Sequence, residues 1–500
     1  MNLSNIFRKS ASSWSLDNMV VCDSFAGEKS DENQMNMKKR LYISLLALQA
    51  TLFTNLVWAQ APTDTTATDS VPRELSWTEK FQQRLNPLIQ EAERAPFYSG
   101  ICIYDLTADS LLFGYNQQKV MRPASTQKVL TAVTALAVLG KNHQYTTRAY
   151  YDGTITADTT VVQTVIPAPT FPDKEGVIAD SVIRDSVIIK RTLHGNVCVV
   201  GDFDPLFSYN DLKDIAGSLQ KLHIDSITGR LIADVSMKDT LRWGNGWCWD
   251  DVPSDYMPAL TPIMFNNQER LNSKDTNYLI YPDHYFMETL AREIRERGIY
   301  ISISNSNFRF TSYPSDTRKG TEFFSCSHTI EQVLQRMMKR SSNLFAESMF
   351  YQLAALSKKS GSTWKDGAKQ VEQMVARAGG NTTQLEVVDG SGVSLYDYVT
   401  PETEVMMLRF AYRNNAIYNA LYPALPIAGV DGTLQKRMLT GPAHANVHAK
   451  TGTVEGVSCL AGYVKASNGH ILAFSIMNNG VLKSSVGRDF QDRLCQMMAQ

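Results

Sequence analysis

The chain has 500 residues, 43% hydrophobic, 10% aromatic and 20% charged, a globular composition long enough for more than one domain. Lys and Arg number 49 against 50 Asp and Glu, giving a formal net charge of −1, which excludes nucleic-acid binding through a broad basic surface. Only one apolar stretch is long enough to consider as a membrane span, so a multi-span membrane protein is excluded as well.

Residues 1–34 are polar and unpatterned and read as a prefix, with Met35 or Met37 as the true translation start. Lys38-Lys39-Arg40, the apolar run Leu41 to Val57, and small residues at Val57, Ala59 and Ala61 then have the anatomy of a cleavable secretory signal over 35–61. Residues 62–74 are rich in Thr, Asp and Ala and read as a disordered leader. The expectation is an exported, periplasmic protein, membrane-associated if the signal is retained. Cys22 lies in the prefix. Cys102, Cys198, Cys248, Cys326, Cys459 and Cys495 are scattered, with no CxxC and no metal-ligand spacing, so neither a disulfide framework nor a metal centre is expected. Cys102 and Cys459 sit in apolar, strand-like runs and read as buried free thiols.

A helix is predicted over 77–92, with Phe81, Leu85, Leu88 and Ile89 on one face. A strand follows from Phe97 to Tyr104, with Ser110 to Tyr115 as its hairpin partner. Pro123 leads into a helix from Ser125 to Leu139 that is apolar almost all round and therefore buried. Residues 145–240 read as mostly β, and a helix starts at Asp283 with Phe286, Leu290 and Ile294 on its apolar face. Helical periodicity returns from His328. Near the C-terminus, strands Val457 to Lys465 and Ile471 to Met477 flank Ser467-Asn468-Gly469, a hairpin turn, before a helix from Arg488 to Met498. The fold class is α/β (α+β): one domain from both chain ends, 75–144 and 326–500, interrupted by a mostly β insertion over 145–325.

Three short motifs stand in order. Ser125-Thr126-Gln127-Lys128 opens the buried helix, Ser341-Ser342-Asn343 begins a helical segment, and Lys450-Thr451-Gly452-Thr453 precedes the C-terminal hairpin. S-x-x-K by itself is common, and this chain has others at Ser218 to Lys221 and Ser362 to Lys365. What separates Ser125 is its context: the first turn of a helix, with Lys128 one turn later on the same face. A serine hydroxyl needs a neighbouring base, and a lysine is that base only when burial or a second cation depresses its pKa. Lys450 is expected to supply the cation, Ser341 to bridge the two ammonium groups, and Asn343 to hold substrate backbone or Lys128. Backbone N–H groups of Ser125 and Thr453 would form an oxyanion hole, and Lys450, Thr451, Gly452 and Thr453 would seat a substrate carboxylate. His444 and His448 read as a solvated loop pair, Asp250-Asp251 as part of a structural turn, and Asp389-Gly390-Ser391-Gly392 as a tight turn.

The S-x-x-K, S-x-N and K-T-G set occurs in β-lactamases and penicillin-binding proteins. With the blocks GDFDPLF, GNGWCWDD, KRSSNLFAE, DGSGVS and PIAGVDGTLQKRM, the chain from Trp77 onward resembles the class C low-molecular-mass penicillin-binding proteins. That resemblance implies a transpeptidase-like domain carrying two inserted domains, with Ser125 acylated and Lys128 its base. Ser341 and Asn343 form the second motif, and Lys450, Thr451 and Gly452 the third. It further implies D-Ala-D-Ala carboxypeptidase and endopeptidase action on peptidoglycan stem peptides, covalent inhibition by β-lactams, and no cofactor. A β-lactamase-like hydrolase or esterase, and a non-catalytic wall-binding homologue, are the alternatives. The sequence departs from the family pattern at Asp202 and Phe203, at Ser342, and after the DGSG block at Val393-Ser394-Leu395.

Overall fold

The computed structural model describes residues 75–166, 181–252, 254–271, 278–301, 308–311 and 320–500; the expected prefix, signal and leader lie outside them. Strands β1 (Tyr98–Asp105), β2 (Ser110–Tyr115), β11 (His448–Val454), β12 (Val457–Lys465) and β13 (Ile471–Asn479) form one antiparallel sheet, ordered β11-β12-β13-β1-β2. The two chain ends meet along the β1–β13 ladder, which runs from Tyr98 opposite Asn479 to Asp105 opposite Leu472. The two C-terminal strands match the predicted ranges within two residues, because the Asn468-Gly469 turn fixes their register.

Both faces of this sheet are covered, so its strands are apolar almost continuously rather than alternately. Ile101, Ile103 and Leu460 pack with α1 (Trp77–Arg94) and α10 (Ser484–Ala499), through Phe81, Leu85, Phe490 and Leu494. Cys102, Cys459, Ala461 and Tyr463 face the opposite way. There they meet α2 (Gln127–Val138), α5 (Ile330–Arg340), α6 (Asn343–Ala355), α7 (Trp364–Ala378), α8 (Pro401–Tyr412) and α9 (Asn415–Ala424). Side chains as deeply buried as Phe81, Leu85 and Leu130 each contribute roughly 1.5–3 kcal/mol over an exposed position. α10 starts at Ser484, one turn before the predicted Arg488.

A second sheet, ordered β10-β3-β6-β8-β9, joins β3 (Gln144–Tyr151), β6 (Val197–Val200), β8 (Leu231–Asp234), β9 (Phe308–Thr311) and β10 (Thr321–Thr329). It packs with α3 (Tyr209–Gln220) and α4 (Pro282–Glu296), through Leu212, Ile215, Phe286 and Leu290. The mostly β reading of 145–240 passed over α3, although its Ser208–Asp211 capping box and the spacing of Leu212, Ile215, Ala216 and Leu219 are plain helix signals. β4 (Thr154–Ile166) and β5 (Val182–His194) form a long two-stranded ribbon extended by β7 (Ser226–Ile227), and Val161, Val187 and Ile189 on it are exposed. Among the described residues the six cysteines after Cys22 are free, with Cys102 and Cys459 buried.

Candidate active site

The nucleophile's turn is the first local problem. Ser125 lies in a 3-10 turn, Ala124–Thr126, and α2 proper begins only at Gln127. Ala124 is held at φ 49°, a left-handed conformation that an alanine adopts only under constraint. The constraint comes from the loop after α7. Gly392, at φ 79°, passes so close beneath the turn that a Cβ there would lie 1.8 Å from the Ala124 carbonyl oxygen. From the other side β11 presses in, and a Cβ on Gly452 would fall 2.6 Å from Pro123 O and 3.1 Å from Ser125 N. Gly452→Ala should therefore push the edge strand off the turn, slowing acylation by about 10²–10³-fold, the cost of losing one oxyanion donor. Penicillin-labelling rates on the folded variant check this.

Lys128, one helical turn on from Ser125, is completely buried. Its Nζ donates to Ser125 Oγ at 2.8 Å, to Asn343 Oδ1 at 2.7 Å and to the Ser391 carbonyl at 2.7 Å. Burial brings its ammonium down to about 7, with the acids Asp389, Glu347 and Asp397 opposing the shift. The geometry then assigns the lone pair. Asn343 Nδ2 donates to the Tyr256 carbonyl, which fixes Oδ1 toward the lysine, and Oδ1 and the Ser391 carbonyl can only accept. A neutral Lys128 keeps its two N–H groups on those oxygens, so its lone pair is left facing Ser125, the one neighbour of the three with a hydroxyl proton to give.

The second motif departs locally from the prediction. α6 starts at Asn343, and Ser341 is the left-handed cap of α5, at φ 57° and ψ 34°. That bend aims Ser341 at Lys450, whose buried Nζ donates to Ser341 Oγ at 2.7 Å and to the Thr451 carbonyl at 2.6 Å. Ser341 is thus the partner of Lys450, while Asn343 and Ser391 are the partners of Lys128; the expected bridge between the two amines is not formed. Burial, one of the two expected causes, leads for both amines. Lys450 is pushed well below the usual lysine range, first by burial and then by the charge of Lys128, and the depression of Lys128 comes from burial. An arriving carboxylate would restore the charge on Lys450. Thr451 Oγ1 donates to Thr433 Oγ1 at 2.8 Å, and Ser125, Ser341, Asn343, Thr451 and Thr453 line one cleft of 820 Å³. β11 is the edge strand of its sheet. His448 and Ala449 are tied on the outer side to Ile427 and Pro426; beyond them, among the described residues, no further strand pairs with it on the cleft side, an edge suited to seating an extended peptide.

Sequence reasoning missed the scaffold behind Lys128. Asp389 folds the DGSG loop by accepting from Ser391 N, Gly392 N, Ser394 N and Trp247 Nε1, the last at 2.9 Å. Glu347 of α6 accepts from Gly390 N at 3.0 Å, and Thr131 of α2 donates to Gly390 O at 2.7 Å. The contact that matters to catalysis is a backbone carbonyl, which no side-chain motif records. The Asp-Gly-Ser-Gly pattern is the signal for it, since it marks a tight turn whose glycines let backbone come close. His448 is the first residue of β11 and stacks on Tyr422 at 4.0 Å, so it is a packed strand residue rather than a loop histidine.

The D-Ala-D-Ala carboxypeptidase 3 (S13) family matches the chain over residues 81–175, 157–281 and 279–500. The chain belongs to that family. Its class is accordingly that of a serine-type D-Ala-D-Ala carboxypeptidase. It is 24% identical to the D-alanyl-D-alanine carboxypeptidase DacB of Haemophilus influenzae over 445 residues, covering 76% of this chain and 85% of that one. A carboxypeptidase of Mycobacterium tuberculosis is 30% identical over 378 residues, covering 71% of each chain. In fold the carboxypeptidase is similar to the crystal structure of penicillin binding protein 4 from Haemophilus influenzae, with a TM-score of 0.68 and 22% identity over 83% of this chain and 99% of that one.

Proposed function

We propose that this carboxypeptidase works through an acyl-enzyme on Ser125 and hydrolyses the terminal D-Ala-D-Ala bond of peptidoglycan stem peptides. The contact that supports this most directly is the 2.8 Å pair between Ser125 Oγ and the buried Lys128 amine, closed on its other sides by acceptors. Lys128 takes the hydroxyl proton as Ser125 Oγ attacks the penultimate D-Ala carbonyl. The oxyanion lies against the N–H groups of Ser125 and Thr453. The carbon–nitrogen bond breaks, and Ser341, backed by Lys450, passes a proton to the leaving D-alanine nitrogen. The proton taken by Lys128 restores Ser341 through solvent in the cleft, leaving Lys128 neutral again. Water then attacks the ester and releases Ser125. Asn343 and the Thr451–Thr453 edge hold the peptide, and Lys450 with Thr451 takes its terminal carboxylate. β-Lactams acylate the same serine, and cross-link cleavage as an endopeptidase follows the same chemistry on a branched substrate. Residues 145–325 are read as two inserted domains, and the N-terminal signal as directing the enzyme to the periplasm.

Incubation of the purified enzyme with defined muropeptides tests the reading. Free D-alanine should appear from a pentapeptide monomer, prior treatment with penicillin should block it, and the penicilloyl group should map to Ser125. A pentapeptide left intact by enzyme that still binds it would overturn catalysis, and rapid turnover of the penicilloyl enzyme would favour a β-lactamase.

A further inference from the structure

Away from the cleft, the second sheet gathers three groups that the activity above does not use. Cys326 and His328 are alternate residues of β10 and so share one side of the strand. Asp211 stands in the first turn of α3, packed against it. One ligand atom from each of the three lies within 4.8 Å of the others.

Two details make this more than proximity. A tetrahedral ion about 2.3 Å from sulfur and about 2.0 Å from oxygen needs a sulfur–oxygen edge of about 3.5 Å; Cys326 Sγ, whose thiol donates to Asp211 Oδ1, already lies 3.5 Å from it. The other carboxylate oxygen, Oδ2, is taken up by Ser208 in the capping box, which leaves Oδ1 aimed at the thiol. The imidazole is oriented as well. His328 Nδ1 is 2.7 Å from Oδ2 of the fully buried Asp204 carboxylate. A proton on Nδ1 shared with that carboxylate leaves Nε2 with a free electron pair, the carboxylate–histidine arrangement that commonly backs a metal ligand. Among the described residues neither Asp204 nor Asp211 pairs with a lysine or arginine, and the basic side chain on Asp204 is the imidazole of His328.

We propose that Asp211, Cys326 and His328 bind a single divalent ion of the Zn²⁺ class, with Asp204 as the positioning residue for His328. Thiolate, imidazole and carboxylate together select a borderline-soft ion over Ca²⁺ or Mg²⁺. Binding releases the Cys326 proton to solvent, and the fourth position goes to water, since His328 is 21% exposed. This revises the expectation that the cysteines include no metal ligand. The ion ties α3 and β10 to the loop holding Asp204. That loop in turn rests on α6: Ser348 donates to the Phe203 carbonyl and Gln352 to the Asp202 carbonyl. The site therefore braces the second sheet against the helix that begins with Asn343.

The experiment is Co²⁺ and Zn²⁺ titration of the chelator-stripped full chain, read by absorbance, metal content and thermal melting. One ion per chain, a thiolate-to-cobalt charge-transfer band and a raised melting temperature with Zn²⁺ are expected. Cys326→Ser should lose the band and the shift while keeping its circular dichroism. Asp204→Asn should weaken binding by about 10–100-fold, the usual effect of losing an outer-shell partner. Should Cys326→Ser fail to fold, His328→Gln supplies the same readout. Absence of stoichiometric binding to the wild type, or a band unchanged in the ligand variants, overturns the site.

Discussion

Lys128→Arg is expected to slow acylation of Ser125 by penicillin by a factor on the order of 10²–10⁴, the typical contribution of a general base. The substitution removes the ability to accept a proton, because a guanidinium stays protonated and has no lone pair to offer. It also puts a larger group into a fully buried site, so an unchanged circular dichroism spectrum is part of the test. In the wild type the Lys128 ammonium is brought to about 7 by burial. Only the neutral amine is a base, so acylation should rise about tenfold per pH unit below about 7 and level off above it. The variant should be slow throughout and lose that rise. Rates of labelling by penicillin across this range measure both effects, and a variant that retains the wild-type rate and profile would place the base elsewhere.

Ser125→Ala should abolish penicillin labelling and reduce D-alanine release by about 10⁶-fold, the scale on which a covalent nucleophile acts. The fold should survive. The 3-10 turn is held by the contacts of Gly392 and Gly452 rather than by the hydroxyl, and Lys128 retains Asn343 Oδ1 and the Ser391 carbonyl as acceptors. An unchanged circular dichroism spectrum beside lost labelling separates chemistry from stability. Labelling that persists and maps to Ser341 or Ser391 would move the nucleophile to one of those residues.

Much of this was legible in the chain because it is written locally. Ser125 and Lys128 are one turn apart, the hairpin around Asn468-Gly469 is encoded in a two-residue turn, and the α1 face repeats with helical period. What was not legible depends on distant backbone. The Ser391 carbonyl reaches Lys128 across 263 positions, and it does so only because Asp389 folds its loop. The left-handed Ser341 lies in a run with helical pattern on both sides, so nothing in the residue types announces the bend that separates its partner from that of Asn343. Cys326 and Asp211 lie 115 positions apart, and the close spacing used to recognise metal ligands cannot detect such a pair.

The ladder that joins Tyr98 to Asn479 has a temporal consequence. A growing polypeptide exposes Ser125 and Lys128 early, yet the strand bearing Lys450 and the two that follow it emerge far later. Loop closure over so long a separation comes late in folding. An unfinished or clipped molecule lacking its tail would hold both members of the acylating pair without the edge that receives a peptide. Formation of the edge that would receive a peptide is thereby tied to synthesis of the three C-terminal strands.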